Sequence, residues 1–345
     1  MIGSILLEIL ALLVLIGLIV LACEAFTNGI EWLGSLLGLH EGAVGSVLAA
    51  VGTALPETLV PIVAIVGASA GTISQASARS AIGVGAIVGA PFMLATLAMF
   101  VSGVAVLVFT NRGWREEIID LDPKDVRTDL AVFLLAYAAA IGISFLPAWK
   151  VSGTLTVRQA LGFAFLFAYA WYTYRTITGP GEHGEDLDPL YIARRHARPP
   201  LWRVLAQVAA ALLGIITATH FFVETLEHLA RTAGVSPLVL SLFITPIATE
   251  LPEKYNSVTW LRVKKDRLAI GNITGAMVFQ STVLVAVGLW LTPWKLSSPA
   301  LLGSGLAVAS GGYLWWKARR RLSAFSLLAG GGFYLAFVLA LLAWR

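Results

Sequence analysis

Ten long apolar runs divide this chain, and each is close to the ~20 residues that a helix needs to cross a bilayer. Hydrophobic residues make up 58% of the 345 residues and charged residues only 13%, which excludes an ordinary soluble domain. Backbone polar groups in hydrocarbon must bond within their own segment, so the runs predict helices. We expect an all-α polytopic membrane protein with ten transmembrane helices. They should span approximately residues 4–34, 41–70, 79–109, 129–147, 155–178, 202–231, 236–261, 267–292, 298–317 and 323–344.

Lys and Arg are distributed unevenly among the connections between these runs. Most of the 24 lie after the third, fifth, seventh and ninth runs, and the positive-inside rule makes those connections cytoplasmic. Both termini then lie outside, in an integral protein of the plasma (inner) membrane. The connection 179–200, rich in Gly, Pro and charge, is predicted to be a cytoplasmic linker. Topology and lipid headgroups explain the net charge of +4, so we expect no nucleic acid partner.

The two halves of the chain are related in sequence. Residues 24–57 align without a gap to residues 220–253, with eight identities at a constant offset of 196. Five predicted spans, an odd number, separate the copies, so the second copy enters the membrane from the opposite face. Such inverted repeats are typical of secondary transporters with a site near the bilayer midplane. We expect one five-helix repeat in residues 1–178, the linker at 179–200, and a second five-helix repeat in residues 201–345.

Two matching motifs end the aligned segments: GTALPET (Gly52–Thr58) and ATELPEK (Ala248–Lys254). Each places a glutamate, Glu57 or Glu253, deep inside a run of hydrocarbon length. A carboxylate there is costly unless a cation, a proton or a water-filled cavity accompanies it. We therefore expect Glu57 and Glu253 to approach each other at the centre of the membrane and to bind a cation. The structural alternative is that each glutamate only pins a helix kink by hydrogen bonding to a neighbour.

The residues around each glutamate support a cation site. The proline that precedes it, Pro56 or Pro252, cannot donate to the carbonyl four residues earlier, so both helices should be kinked with freed backbone oxygens. Thr53 and Thr249 lie four residues before the glutamates, on the same helical face. Carboxylates, hydroxyls and carbonyls form an all-oxygen ligand set, which hard cations such as Ca²⁺, Mg²⁺ or Na⁺ prefer.

Other polar residues within the runs are expected near helix ends or in polar contacts. These are Glu24, Glu31, Glu224, Glu227 and His220.

The paired motifs resemble the G-T-S-L-P-E repeats of the cation/calcium antiporter superfamily. A second element supports this, since GNITGAMVFQ (Gly271–Gln280) is similar to the G-N-x-x-G-S-N-x-F-N/D motif of the next helix. Its counterpart in the first half is GAIVGAPFML (Gly85–Leu94). The resemblance implies alternating access, with one cation bound at Glu57 and Glu253. The glycines of the second element form small-xxx-small faces that would allow close helix packing.

Departures from the family pattern bear on the coupling ion. Where sodium/calcium exchangers carry Asn or Asp at the end of the second motif, this chain has Leu94 and Gln280, so the usual sodium ligands are depleted. Glu250 stands where the pattern has a small residue, three positions before Glu253 and on the same helical face. Glu250 is either a third acidic group of the site or the partner of Lys254 in an ion pair.

The expected function is antiport, in which a divalent cation is exchanged for H⁺ or Na⁺. Ca²⁺ is the first candidate for the transported cation, and Mg²⁺, Na⁺ or H⁺ are the alternatives. The proposed metal ligands are Glu57, Glu253, Thr53, Thr249, Glu250 and Gln280. We expect no cofactor, and the single Cys23 excludes an internal disulfide. Two other classes stay open: a non-transporting scaffold or sensor with a degenerate site, and a metal-dependent membrane enzyme. Nothing in the sequence indicates an oligomeric state.

Overall fold

The computed structural model describes residues 2–36, 55–67, 73–147, 149–152, 155–178, 188–195 and 198–343. Helices account for most of them. In chain order they are α1 (Ile2–Leu36), α2 (Leu55–Gly67), α3 (Ile73–Met93), α4 (Met99–Asn111), α5 (Pro123–Ser144), α6 (Val157–Ile177), α7 (Leu201–Ala233), α8 (Pro237–Thr249), α9 (Leu251–Arg262), α10 (Asp266–Phe279), α11 (Val285–Leu291), α12 (Ser298–Lys317) and α13 (Ala324–Ala343).

Shorter elements join some of these helices. Two π-helical turns, Leu94–Ala98 and Gln280–Leu284, connect α3 to α4 and α10 to α11. An antiparallel hairpin of β1 (Lys150–Ser152) and β2 (Leu155–Thr156) precedes α6. The helical fold that the sequence predicts is therefore confirmed for the described residues, apart from this short hairpin.

Within the described residues, six helical stretches are long and apolar enough to cross a membrane. Two further apolar helices are shorter, Glu57–Gly67 and Pro237–Pro246. The predicted seventh span, 236–261, is divided between α8 and α9. The count of ten spans in two inverted repeats remains a prediction.

Contacts divide the chain into two compact units: residues 1–83 with 170–237, and residues 84–169 with 238–345. Each unit contains segments of both predicted repeats. The predicted boundaries at 178 and 201 describe the order of the repeats along the chain and remain a prediction.

In the first unit, α1 and α7 pack against each other as an antiparallel pair. Near one end, Glu8 of α1 accepts a hydrogen bond at 2.9 Å from the imidazole of His228. Near the other, the Gln207 amide donates to Asn28 at 3.0 Å. Gly29 permits the close approach, because a Cβ there would lie 2.8 Å from Val208 Cγ2.

The described part of the linker is attached to the end of this helix pair that carries Asn28. Asn28 and Trp32 both donate side-chain hydrogen bonds to the carbonyl of Asp188, at 3.2 and 2.8 Å. The Gln207 carbonyl accepts from the backbone N–H of Ile192 at 3.1 Å. These bonds satisfy backbone groups that would otherwise need water.

In the second unit, the connections after α4, α9 and α12 lie together at one end. Arg115 forms a bidentate ion pair with Asp266 at 2.6 and 2.7 Å, and Ile118 forms a β-bridge with Ser323. At the opposite end, Arg158 donates to the carbonyls of Leu146 and Pro293. Three of the four predicted cytoplasmic, Lys- and Arg-rich connections therefore share one end of this unit.

Candidate functional site

The second motif lies where a helix is interrupted. α8 ends at Thr249 and α9 begins at Leu251, while Glu250 between them has φ −93° and ψ 4°, outside the helical region. Pro252 occupies the first turn of α9, where a missing N–H costs nothing. The kink predicted for the second repeat is thus confirmed, two residues before the proline. In the first repeat, residues 52–54 lie outside the described residues.

Glu250 is completely buried at this interruption, with 0% of its surface exposed. Its Oε2 lies 2.8 Å from the Nζ atom of Lys254, one helical turn further on. Its Oε1 is 3.5 Å from Nε2 of Gln280, the first residue of the second π-helical turn. The ion pair that the sequence offered as one alternative is therefore present, and the structure also brings Gln280 to the same carboxylate.

Gln280 is itself buried, with 2% exposed. Among the residues that the structure describes, nothing donates a hydrogen bond to its Oε1. A buried acceptor without a donor is unusual and costs about 1–3 kcal/mol. An amide oxygen of this kind is also a ligand type that hard cations accept.

A column of hydroxyls leads along α8 to the interruption. Thr249 donates to the Thr245 carbonyl at 3.1 Å, and the Thr245 and Ser241 hydroxyls are 3.1 Å apart. All three residues are buried. Only Thr249 was expected from the motif. The spacing of four residues between Ser241, Thr245 and Thr249 is the signal that would have identified the other two.

The remaining predicted ligands are described only in part. Glu57 is buried, with 3% exposed, in the first turn of α2 in the other unit. Thr53 lies outside the described residues, and so does the side chain of Glu253. The predicted approach of Glu57 to Glu253 therefore stays a prediction.

Close packing of the glycine face is confirmed in the first half of the chain. A Cβ on Gly85 would lie 2.8 Å from the Leu238 carbonyl oxygen, and one on Gly89 would lie 2.8 Å from that of Leu242. α3 therefore contacts the backbone of α8 directly. A Cβ on Gly271 would meet nothing within 4 Å among the described residues, so the close approach predicted there is not found, while that at Gly275 stays a prediction.

The two π-helical turns were not predicted, yet they occupy equivalent positions. They begin at Leu94 and Gln280, the final residues of the two second-element motifs. In each turn the third residue, Thr96 or Thr282, donates its hydroxyl to the carbonyl four residues earlier, at 2.5 and 2.6 Å. π-Helical turns occur frequently at functional sites, and here the aligned threonines were the available signal.

Three of the polar residues expected near helix ends or in polar contacts, Glu224, Glu227 and His220, make polar contacts in the structure. In the first unit, Arg79 lies 3.0 Å from Glu227 and 3.5 Å from Glu224, and it also donates to the Gly67 carbonyl at 3.1 Å. Arg231 contacts Glu227, and His220 contacts Glu224 at 3.3 Å. Among the described residues, no group of three or more His, Cys, Asp or Glu side chains could hold a metal ion.

Comparison with known proteins gives consistent results. The sequence matches the sodium/calcium exchanger protein family over residues 7–178 and 203–343. CaxA of Alkalimonas amylolytica, which is named as an antiporter, is 24% identical over 293 residues, covering 83% of this chain and 82% of CaxA. The sodium/calcium exchanger MaX1 of Methanosarcina acetivorans is 27% identical over 94 residues, or 27% of each chain.

Solved structures show the same fold. The H⁺/Ca²⁺ exchanger CAX matches with a TM-score of 0.74 and 18% identity over 97% of this chain and 82% of CAX. The sodium-calcium exchanger NCX_Mj matches with a TM-score of 0.60 and 16% identity over 97% of this chain and 99% of NCX_Mj. At these identities the likeness concerns the fold alone.

Proposed function

Because this chain belongs to the sodium/calcium exchanger family, we propose that it is a secondary active antiporter that exchanges a divalent cation, Ca²⁺ first, for H⁺ or Na⁺ by alternating access. Members of this family are cation transporters of the membrane and not enzymes. The metal-dependent enzyme is therefore no longer a candidate.

The observation that carries the proposal is the buried polar cluster where α8 and α9 are interrupted. The Glu250 carboxylate, paired with Lys254, and the Gln280 amide lie side by side there at the end of the hydroxyl column, and all are nearly or fully inaccessible. Among the described residues nothing donates to the Gln280 oxygen, and burying such an acceptor costs free energy that a bound cation would offset. A scaffold without transport would need no such cluster, so transport is favoured over that alternative.

The transported cation would be bound by oxygen atoms only. We assign Glu57 and Glu253 as the charged ligands and Thr53 and Thr249 as hydroxyl ligands, on the strength of the repeat symmetry. Thr249 gives its proton to a backbone carbonyl, so its oxygen lone pairs are available to a cation. Glu250 and Gln280 border this site, and Gln280 Oε1 is the neutral oxygen that its environment leaves open.

Proton coupling is favoured over sodium coupling. Leu94 offers no oxygen at the position where relatives in the sodium/calcium branch carry a polar side chain, and it is fully buried. Fewer oxygen ligands leave less coordination for additional sodium ions. Crowded carboxylates, in contrast, can exchange a divalent cation for protons.

Calcium counterflow into proteoliposomes tests the proposal. Purified protein in vesicles preloaded with Ca²⁺ should take up radioactive Ca²⁺, and imposed pH or Na⁺ gradients identify the coupling ion. Glu57→Gln and Glu253→Gln should each reduce this uptake by at least about tenfold, because glutamine keeps the volume but not the charge. Glu116→Gln, which changes an exposed glutamate outside the site, is the matched control. Uptake by either site variant at the rate of Glu116→Gln would make that glutamate structural.

A further inference from the structure

The side chain of Lys254 lies next to the buried carboxylate of Glu250. The Lys254 ammonium is 2.8 Å from the Glu250 carboxylate, and their side chains are 12% and 0% exposed. Among the described residues, the Glu250 carboxylate has one further hydrogen-bonding partner, the neutral amide of Gln280. The charge of Glu250 is therefore balanced by the chain itself.

This balance changes the number of charges that mobile ions must supply. In the function proposed above, the two ligand glutamates, Glu57 and Glu253, supply the negative charge that one divalent cation neutralises. Glu250 would add a third, and a buried third charge would demand a further monovalent cation or a proton. An ammonium fixed to the helix meets that demand permanently, because it cannot leave with the transported ion.

We propose that Lys254 is a built-in cation of the transport site, which neutralises Glu250 so that the site binds one divalent cation without a sodium ion beside it. This inference rests on the antiport function proposed above and states which group neutralises the charge of Glu250. Lys254 thereby determines the coupling ion, since a site already holding an ammonium has no vacancy for sodium at Glu250. Lysine suits this role because its ammonium is a compact point charge on a flexible stem.

The test measures calcium counterflow with either K⁺ or Na⁺ as the only monovalent metal cation on both sides of the vesicle membrane. In the wild type, replacing K⁺ by Na⁺ should change the calcium uptake by less than about twofold. In Lys254→Met the same replacement should change the uptake by at least about fivefold, which is the lower end of the affinity changes that coupled binding sites typically show. Lys254→Arg, which keeps the positive charge, should show the wild-type response to sodium.

The outcomes separate this inference from the function on which it rests. Absence of counterflow in the wild type would contradict the antiport function. If the wild type shows counterflow and Lys254→Met responds to sodium in the same way as the wild type, only the role of Lys254 is overturned. Sodium-driven calcium exchange by the wild type would also overturn that role. If Lys254→Met does not fold, the double variant Glu250→Gln, Lys254→Gln decides. It removes both charges and should be insensitive to sodium, so a sodium response of fivefold or more in this variant would also overturn the inference.

Discussion

Replacing Arg115 by methionine should destabilise the second unit strongly. The Arg115 and Asp266 side chains are only 2% and 3% exposed. Their two hydrogen bonds measure 2.6 and 2.7 Å, and Arg115 also donates to the Leu261 carbonyl at 2.9 Å. Methionine keeps much of the apolar stem but leaves the Asp266 carboxylate without its counter-ion. The connection after α4 would then lose its ion pair to the start of α10, the helix that leads to Gln280, and keep only weaker contacts there.

The expected loss follows from what remains around Asp266. Removing one partner of a buried ion pair costs about 3–5 kcal/mol. Asp266 keeps a hydrogen bond from the Asp120 N–H at 2.8 Å and lies in the first turn of α10, where the helix dipole favours a negative charge. We therefore expect the lower end, about 3 kcal/mol, which is roughly a hundredfold change in the unfolding equilibrium.

Denaturant unfolding in detergent measures this change. Arg112→Met is the matched control, because Arg112 is exposed. Its guanidinium carbon lies 5.2 Å from the centroid of the Trp114 ring, a contact worth about 0.5–1 kcal/mol. The double variant Arg115→Met, Asp266→Leu should recover most of the loss, since no unpaired charge is left buried. If Arg115→Met unfolded at the same denaturant concentration as Arg112→Met, the ion pair would not be what joins these segments.

Two further substitutions test how the site helices are packed. Gly89→Ala should lower the free energy of unfolding by about 1–3 kcal/mol, because the added Cβ would collide with the Leu242 carbonyl oxygen. In Gly332→Ala the added Cβ would meet nothing within 4 Å among the described residues, so this variant should unfold thermally like the wild type. Thr282→Val keeps the shape but removes a hydroxyl that donates to the buried Val278 carbonyl at 2.6 Å. Because the Ser281 hydroxyl also donates to that carbonyl, at 3.1 Å, we expect a loss of about 1 kcal/mol. Thr225→Val, which removes the same bond from an exposed site, should change stability by less than about 0.5 kcal/mol, and equal losses in both valine variants would contradict this reasoning.

The helix positions were predictable because the bilayer fixes the length of an apolar run. The run predicted at 298–317 coincides with α12 (Ser298–Lys317), and that predicted at 202–231 differs from α7 (Leu201–Ala233) by one or two residues. Polar residues and prolines bound these runs, so sequence alone locates their ends. α7 illustrates this at its C-terminus, where Gly234 has φ +65° and closes the helix as a glycine cap.

The length of an apolar run does not locate the π-helical turns, and the first of them is also stabilised by contacts with other helices. The Ala95 carbonyl in the first turn accepts a hydrogen bond at 2.6 Å from Ser310 of α12. The Thr96 carbonyl lies so close to Gly330 of α13 that a Cβ there would collide with it. These partners are more than 200 residues away in sequence, and no local pattern indicates them.

The candidate site was predictable as a set of residue types but not as a charge balance. The spacing of Glu250 and Lys254 allows an ion pair on one helix face. The same spacing also allows Lys254 to reach water while Glu250 binds a cation. Burial decides between these, and the burial of Glu250 depends on how α8, α9 and α10 pack.

The two π-helical turns lie at equivalent positions of the two predicted repeats and have the same backbone form but different side chains. Both turns begin at the last residue of the second-element motif and both use a threonine hydroxyl in the same way. At that first position, however, one repeat has the apolar Leu94 and the other has Gln280, whose side chain reaches Glu250. Of these two equivalent positions, only that of Gln280 therefore offers an oxygen atom. If the proposed ligands bind one divalent cation, the missing oxygen at Leu94 leaves fewer ligands for additional ions, which is the physical basis for the role that we propose for Lys254.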